Sequence, residues 1–261
     1  MVITKIGRHD VELYDAIDEL PIVRFHKYQK LLLVDAGVGA DIAAFDQRIE
    51  KTRRFLMAGK AEQAHQELEN LRQCVFMIQA EINPRNMAFA ALVKSVDGVS
   101  RDDISDEALR ETLNMISDSP LKDIAARMEA VKKKIDGELM LYFPAIFNQS
   151  NVKEYFDILR KRSLAILYAI QSGNVDADGL IAVEELTTKL VTYSNPQVFS
   201  GADSAEIKYD RQFEDICLAM SEQLHTTPKN STVLEFYNAY EFIIERAKQA
   251  KQAKTGANGR H

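Results

Sequence analysis

The sequence predicts a mainly α protein, a multi-helix bundle or array with a small N-terminal β-hairpin. Apolar residues recur at helical spacing through most of the 261 residues. Glycine, proline and capping residues divide that pattern into segments of ordinary helix length. Strand-like runs are confined to the N-terminus. A hydrophobic content of 46% with 28% charged residues is typical of a chain that packs a core.

The N-terminal hairpin is predicted from two β-prone runs, Val2–Ile6 and residues 11–14. Residues 7–10, Gly-Arg-His-Asp, have the composition of the turn between them. Pro21 then predicts the start of a helix, because proline is well tolerated at the first helical position and disfavours helix in the residue before it.

The helices follow in order between turn and capping residues. Gly37 and Gly39 break the first helix, Asp41 caps the second, and Gly59 ends it. Its Ile42, Phe45, Ile49 and Leu56, and then Ala64, Leu68, Leu71, Val75 and Ile78 of the third, recur at the spacing of one helix face. The predicted helices cover residues 22–35, 42–58, 60–81, 87–96, 106–117, 121–142, 152–171, 182–193, 213–224 and 233–244.

The domain division is predicted from a loss of periodicity. Residues 143–151, which include Pro144, lack a helical pattern, and we place a boundary there. The prediction is a hairpin over 1–20, a helical domain over 21–148, a second helical domain or a continuation of the same core over 149–250, and a mobile tail over 251–261. A chain of this length is compatible with one large domain or two smaller ones.

Charge and hydropathy exclude several classes of protein. The net charge is −6 and basic residues are interspersed with acidic ones, so we expect no nucleic-acid partner. No segment approaches the ~18 uncharged apolar residues of a membrane span, and the start lacks the apolar core of a signal peptide. Cys74 and Cys217 lie in apolar helix faces, which predicts reduced core thiols rather than a disulfide framework.

No catalytic constellation is readable. The five histidines are scattered without metal-ligand spacing, no serine lies in a nucleophile-elbow context, and neither cysteine accompanies a histidine in a known signature. Gly37-Val38-Gly39 suggests a dinucleotide fingerprint, but the third glycine position is Ile42 and a helix break is the better interpretation. We predict no catalytic residue, no cofactor and no small-molecule substrate. An enzyme assembled from residues distant in sequence is a third-ranked hypothesis.

One segment, residues 174–185, resembles an EF-hand calcium loop. Oxygen ligands would come from Asn174, Asp176, Asp178, the Leu180 carbonyl and Glu185, and Gly179 would form the sharp turn. The loop departs from the family pattern because Asn174 replaces an aspartate and no second loop is present. The competing interpretation is a helix-to-helix connector rich in capping residues, and we therefore assign no metal site.

Two segments are candidate contact regions. Residues 194–204 form the longest irregular stretch, and long loops in compact domains are often functional. The final helix carries Val233, Phe236, Tyr237, Tyr240, Ile243 and Ile244 on one stripe. This stripe suits an inward-facing core, and alternatively a helix-in-groove interface.

Six stretches resemble proteins of tailed bacteriophages of gut bacteria, the crAss-like phages and their relatives. The stretches are ELYD at 12–15, ELPIVRFHKY at 19–28, DAGVG at 35–39, ENLRQ at 69–73, AFAALVKSVDG at 88–98 and VKKKID at 131–136. The resemblance covers roughly the first 160 residues. It implies a phage structural or assembly protein, either a tail or neck component of the virion or a tail-assembly factor in the host cytoplasm. Its partners would be other phage structural proteins or a second copy.

Overall fold

A computed structural model describes residues 2–116, 121–147, 152–171, 177–193 and 196–258. Within these ranges there are eleven α-helices, four β-strands and a 3-10 helix at Pro228–Asn230, which confirms the predicted mainly α class. The strands are β1 Val2–Ile6, β2 His9–Leu13, β3 Val93–Val96 and β4 Val99–Ser100. The helices are α1 Ile22–Gly37, α2 Ile42–Met57, α3 Ala61–Gln79, α4 Pro84–Ala91, α5 Asp106–Ile116, α6 Leu121–Tyr142, α7 Pro144–Phe147, α8 Val152–Gln171, α9 Ala177–Tyr193, α10 Ala205–Leu224 and α11 Val233–Asn258.

The four strands form one antiparallel sheet in the order β1-β2-β3-β4. The predicted N-terminal hairpin is confirmed, with Thr4 opposite Val11. Its turn is shorter than predicted because β2 begins at His9, and Gly7 provides the positive φ of 60° that the tight connection requires.

The sequence does not predict β3. It predicts one helix over residues 87–96, whereas α4 ends at Ala91 and β3 pairs with β2. Val93 and Val96 are fully buried, and Asp97 and Gly98, with φ of 50° and 78°, turn the chain into β4. A short apolar run does not distinguish a buried helix from a buried strand, so the pairing with β2 decides.

The chain divides into two compact units. Unit 1 comprises Met1–Leu33, Pro84–Pro144 and Glu206–His261, and unit 2 comprises Val34–Asn83 and Ala145–Ala205. This differs from the predicted contiguous domains over 21–148 and 149–250, because residues 34–83 group with residues 145–205. Helical periodicity shows where a helix lies in the chain, but it does not show which distant helix packs against it.

The core of unit 1 surrounds α4, in which residues 87–91 are all buried while Arg85 is exposed. Beside it, the buried guanidinium of Arg24 donates hydrogen bonds of 3.1 Å to the carbonyls of Ala91 and Val93. These carbonyls lie where α4 ends and β3 begins. A buried carbonyl without a partner is costly, so Arg24 stabilises the change from helix to strand.

In unit 2, α2 buries a face that the sequence did not predict, whereas α3 buries the predicted Ala64 and Cys74 together with polar residues. The buried residues of α2 are Arg48, Thr52, Arg54 and Phe55, and those of α3 are Ala64, Glu67, Asn70 and Cys74. The predicted core residues Ile42, Ile49, Leu56 and Leu68 are exposed. The predicted cap is confirmed, since an Asp41 carboxylate oxygen accepts a 2.7 Å hydrogen bond from the Ala44 amide.

The inward charges of unit 2 are paired. Arg48 donates to both carboxylate oxygens of Glu67, at 2.9 and 3.2 Å, and their side chains are only 7% and 1% exposed. Arg48 also donates to the carbonyls of Ala36 and Val38, at 2.7 and 3.3 Å. The buried guanidinium therefore caps the C-terminal end of α1 while it pairs with α3.

Three further differences concern where helices begin and end. Helix α9 begins at Ala177, five residues before the predicted 182, and α10 begins at Ala205 rather than near 213. Helix α11 continues to Asn258, where the sequence predicted a mobile tail over 251–261. Cys74 and Cys217 are free and buried, as predicted.

Candidate functional site: an aromatic pocket in unit 1

The structure does not assemble the predicted calcium loop in the part it describes. Asn174 and Asp176 lie outside the described residues. Gly179, which the EF-hand pattern places at a sharp turn, lies inside helix α9 together with Asp178 and Glu185. Among the described residues, no group of three or more His, Cys, Asp or Glu side chains is arranged to hold a metal ion.

The predicted contact loop is held in place in its described part, residues 196–204. The buried side-chain amide of Asn70 donates to the Gln197 carbonyl at 2.7 Å and accepts from the Phe199 amide at 3.3 Å. The ring of Phe199 is buried against Gly37. This part of the loop is an anchored segment of unit 2, with residues 201–203 exposed.

A pocket of about 120 Å³ opens among three helices of unit 1. Its lining residues recur at helical spacing on each helix, so each helix presents one face to it. They are Ile22, Phe25 and His26 of α1, Tyr209, Gln212, Phe213 and Ile216 of α10, and Phe236, Tyr237 and Tyr240 of α11. We call this the aromatic pocket. The predicted stripe of the last helix therefore faces inward, but part of it borders an open space rather than a filled core.

His26 is the titratable group that α1 contributes to the lining of the aromatic pocket. Its imidazole lies between the rings of Tyr209 and Phe213, with centroids at 4.6 and 4.1 Å and planes inclined by 3° and 15°. Its Nε2 is 2.9 Å from a carboxylate oxygen of Asp210, and Lys30 Nζ donates to the other oxygen at 2.7 Å. A buried imidazole held in this way has a fixed ring orientation.

Burial shifts several ionisations around the aromatic pocket. It lowers the pKa of His26, against the opposing effect of the hydrogen bond to Asp210. It raises the pKa of Tyr209 to about 12 and raises the pKa of the Glu206 carboxyl. The pKa of Asp210 is lowered by hydrogen bonds from Lys30 and His26, which outweigh its own burial. We call Lys30, Glu206 and Asp210 the charged rim.

The sequence contained a local signal for this site, but not the pairing of the helices. His26 and Lys30 are four residues apart on α1, and Glu206 and Asp210 are four residues apart on α10, so each pair lies on one helix face. Basic groups on one helix and acidic groups on another suggest a contact. The separation of about 180 residues between them hid that contact, because many other helices carry similar charge pairs.

No protein family, curated protein or solved structure matches this chain in the comparisons made. The phage origin that the six stretches quoted above suggest therefore stays a prediction. Within the described ranges no helix is long and apolar enough to cross a membrane.

We expect the stability of the protein to fall as the pH decreases below about 6.5, the ordinary pKa of histidine. The pKa of His26 is lowered by burial, so in this range the unfolded chain binds a proton that the folded chain resists. The raised pKa of Glu206 acts in the opposite sense above pH 4.5, and the lowered pKa of Asp210 contributes only below pH 3.8.

Urea unfolding at about pH 7.5, 6.5 and 5.5, which spans the histidine range, measures how the free energy of unfolding depends on pH. The variant His26→Phe keeps an aromatic ring between Tyr209 and Phe213 and is expected to flatten the dependence. His65→Phe, at an exposed histidine of α3, is the matched control and should leave the slope unchanged. If the free energy of unfolding of His26→Phe depends on pH as strongly as that of the wild type, another group is responsible.

Proposed function

We propose that this protein is a non-enzymatic bacteriophage protein, and that its aromatic pocket receives an apolar side chain of a protein partner. The observation that carries the proposal is a small aromatic pocket with a charged rim. Interfaces concentrate their binding energy in such anchors, in which a buried apolar side chain is surrounded by polar groups.

The size of the aromatic pocket supports a side chain rather than a cofactor. Sites for drug-sized ligands and cofactors enclose roughly 300–1,000 Å³. A closed apolar cavity of about 150 Å³ holds a benzene molecule. The volume of about 120 Å³ in this protein matches one leucine-, methionine- or phenylalanine-sized group.

The charged rim adds a preference for a neighbouring basic residue. Glu206 and Asp210 carry two carboxylates and Lys30 carries one ammonium. Burial raises the pKa of Glu206, because removal from water disfavours its negative charge. A lysine or arginine beside the inserted apolar side chain would pair with this carboxylate and fix the register of the partner.

The resemblance to phage proteins supplies the biological setting of the proposal. It favours a tail or neck component of the virion, or a tail-assembly factor that acts in the host cytoplasm. The partner is then another phage structural protein or a second copy. The calcium-binding alternative remains a prediction for residues 174–185, and the helical geometry of Gly179 does not favour it.

A pull-down of the tagged chain against the co-expressed tail and neck proteins of the phage tests the proposal. Ile216→Trp is expected to fill the aromatic pocket and abolish capture of the partner. Leu218→Trp, two residues along the same helix at a position 61% exposed and outside the pocket, is the matched control and should retain capture. The chain contains no tryptophan, so the fluorescence of either variant reports directly on its own site.

The outcomes are distinct when circular dichroism shows that both variants are folded. Loss of capture in Ile216→Trp alone supports the aromatic pocket as the binding site. Equal capture by both variants would remove the pocket from the proposal. A protein that stays monomeric and captures no phage protein would overturn the proposed function as a whole.

A further inference from the structure

Helix α2 exposes three large aliphatic residues in one row. Ile42, Ile49 and Leu56 are 74%, 45% and 60% exposed and follow one another at seven-residue intervals. Residues seven apart lie on nearly the same side of a helix, with a drift of about 20° per interval. The row, which we call the α2 stripe, extends about 21 Å at the helical rise of ~1.5 Å per residue.

The α2 stripe is exposed because a neighbouring face of α2 is already used. Arg48, Thr52 and Phe55 face the interior of unit 2, where Arg48 pairs with Glu67. Rotating the helix to bury the stripe would expose Phe55 and break that ion pair. Apolar residues at heptad intervals supply one of the two positions through which paired helices pack side by side.

The charges beside the α2 stripe select one arrangement of two such helices. Asp46 lies three residues before Ile49, and Arg53 lies four residues after it, and both are exposed. In an antiparallel pair centred on Ile49, Asp46 of each copy faces Arg53 of the other, and Ile42 faces Leu56. In a parallel pair, the two Asp46 side chains lie on opposite sides of the seam and neither meets Arg53 of the other copy, so these attractive pairs do not form.

We propose that the α2 stripe is the interface between two copies of this chain, packed antiparallel about a twofold axis at Ile49. The row is self-complementary in residue spacing and in charge, as an isologous dimer requires. Arg53 already donates two hydrogen bonds of 2.9 Å to Glu50 of its own helix and lies 3.8 Å from Glu184, and its guanidinium has five donors with which to serve Asp46 of the other copy as well. This proposal is independent of the aromatic pocket, which belongs to unit 1.

A contact between two helices lies at the small end of specific interfaces, so the dimer is expected to dissociate on dilution. Sedimentation velocity over a wide range of protein concentration measures the dissociation constant. Ile49→Glu places two carboxylates face to face at the twofold axis and is expected to weaken association by roughly tenfold or more. Leu68→Glu, at an exposed position of α3 outside the α2 stripe, is the matched control and should leave association unchanged.

A charge exchange tests the antiparallel register. Asp46→Arg alone opposes two arginine pairs, and Arg53→Asp alone opposes two aspartate pairs, so each variant is expected to be monomeric. An equal mixture of the two variants restores both attractive pairs and should dimerise as heterodimers. Circular dichroism of each variant shows that it is folded before mixing.

The results of these experiments decide whether the α2 stripe forms a dimer and whether the two helices run antiparallel. A wild-type protein that is monomeric at all concentrations overturns the proposal. A dimer that persists in Ile49→Glu uses another surface and overturns it as well. Variants that fail to recombine, in a protein whose association Ile49→Glu does weaken, exclude the antiparallel register. A monomeric wild type that still captures a phage partner through the aromatic pocket would leave the proposed function intact.

Discussion

Replacing Glu67 by leucine is expected to lower the free energy of unfolding by about 3–5 kcal/mol. The substitution keeps a similar side-chain volume but leaves the buried guanidinium of Arg48 without its carboxylate. Asn70 loses an acceptor at 3.2 Å, and Lys51, whose Nζ lies 3.8 Å from Glu67 and whose pKa burial already lowers, loses a compensating charge. Urea unfolding followed by circular dichroism measures the change.

Two further variants test whether the unpaired buried charge of Arg48 causes that loss of stability. Adding Arg48→Met to Glu67→Leu removes both charges and should recover part of the loss, because an apolar pair can replace a buried ion pair. Recovery stays incomplete, since the carbonyls of Ala36 and Val38 lose their donor. Glu214→Leu breaks an exposed pair with Lys229 and should cost no more than ~1 kcal/mol. A Glu67→Leu effect as small as this control would contradict the prediction.

Shortening Phe199 to alanine is expected to cost about 3–5 kcal/mol, the usual range for a buried phenylalanine. The ring is 7% exposed and lies directly on Gly37 near the end of α1. The backbone amide of Phe199 bonds to Asn70, so residues 196–204 cannot simply move to fill the space. Thermal and urea unfolding both report the loss, and proteolysis near residues 201–203 should accelerate.

Gly37→Ala tests the same contact from the other side. An added Cβ would overlap the Phe199 ring, and such overpacking costs about 1–3 kcal/mol. Gly137→Ala is the matched control, because Gly137 lies in α6 with nothing within 4 Å of an added Cβ. That variant should gain ~0.5–1 kcal/mol from helix propensity. Stabilisation by both alanines would show that Phe199 does not press on Gly37.

Local chemistry in the sequence was sufficient for the elements that depend on it. The N-terminal hairpin follows from two short β-prone runs around Gly7, and the start of α2 follows from Asp41. Interactions of this kind join residues a few positions apart, so the pattern that encodes them is continuous and readable. Strand β3 was missed because its partner β2 is distant in the chain.

The candidate site was readable only in fragments. The stripe of α11 was predicted, as was a helix containing Phe213, but His26 was interpreted only as one of five scattered histidines. Its position between Tyr209 and Phe213, with Asp210 as its partner, depends on α1 meeting α10. Periodicity identifies a face of a helix, but it does not identify what that face meets.

The sequence by itself determined that the protein is mainly α and that α2 and α3 are amphipathic helices. The tertiary structure alone decided which face of α2 is buried. An apolar row containing Ile49 predicted an inward face, yet Arg48 lies inside because Glu67 and two backbone carbonyls neutralise and bond it there. A buried charge is tolerable only with such partners, and those partners come from other helices. The sequence of α2 alone therefore did not show its orientation.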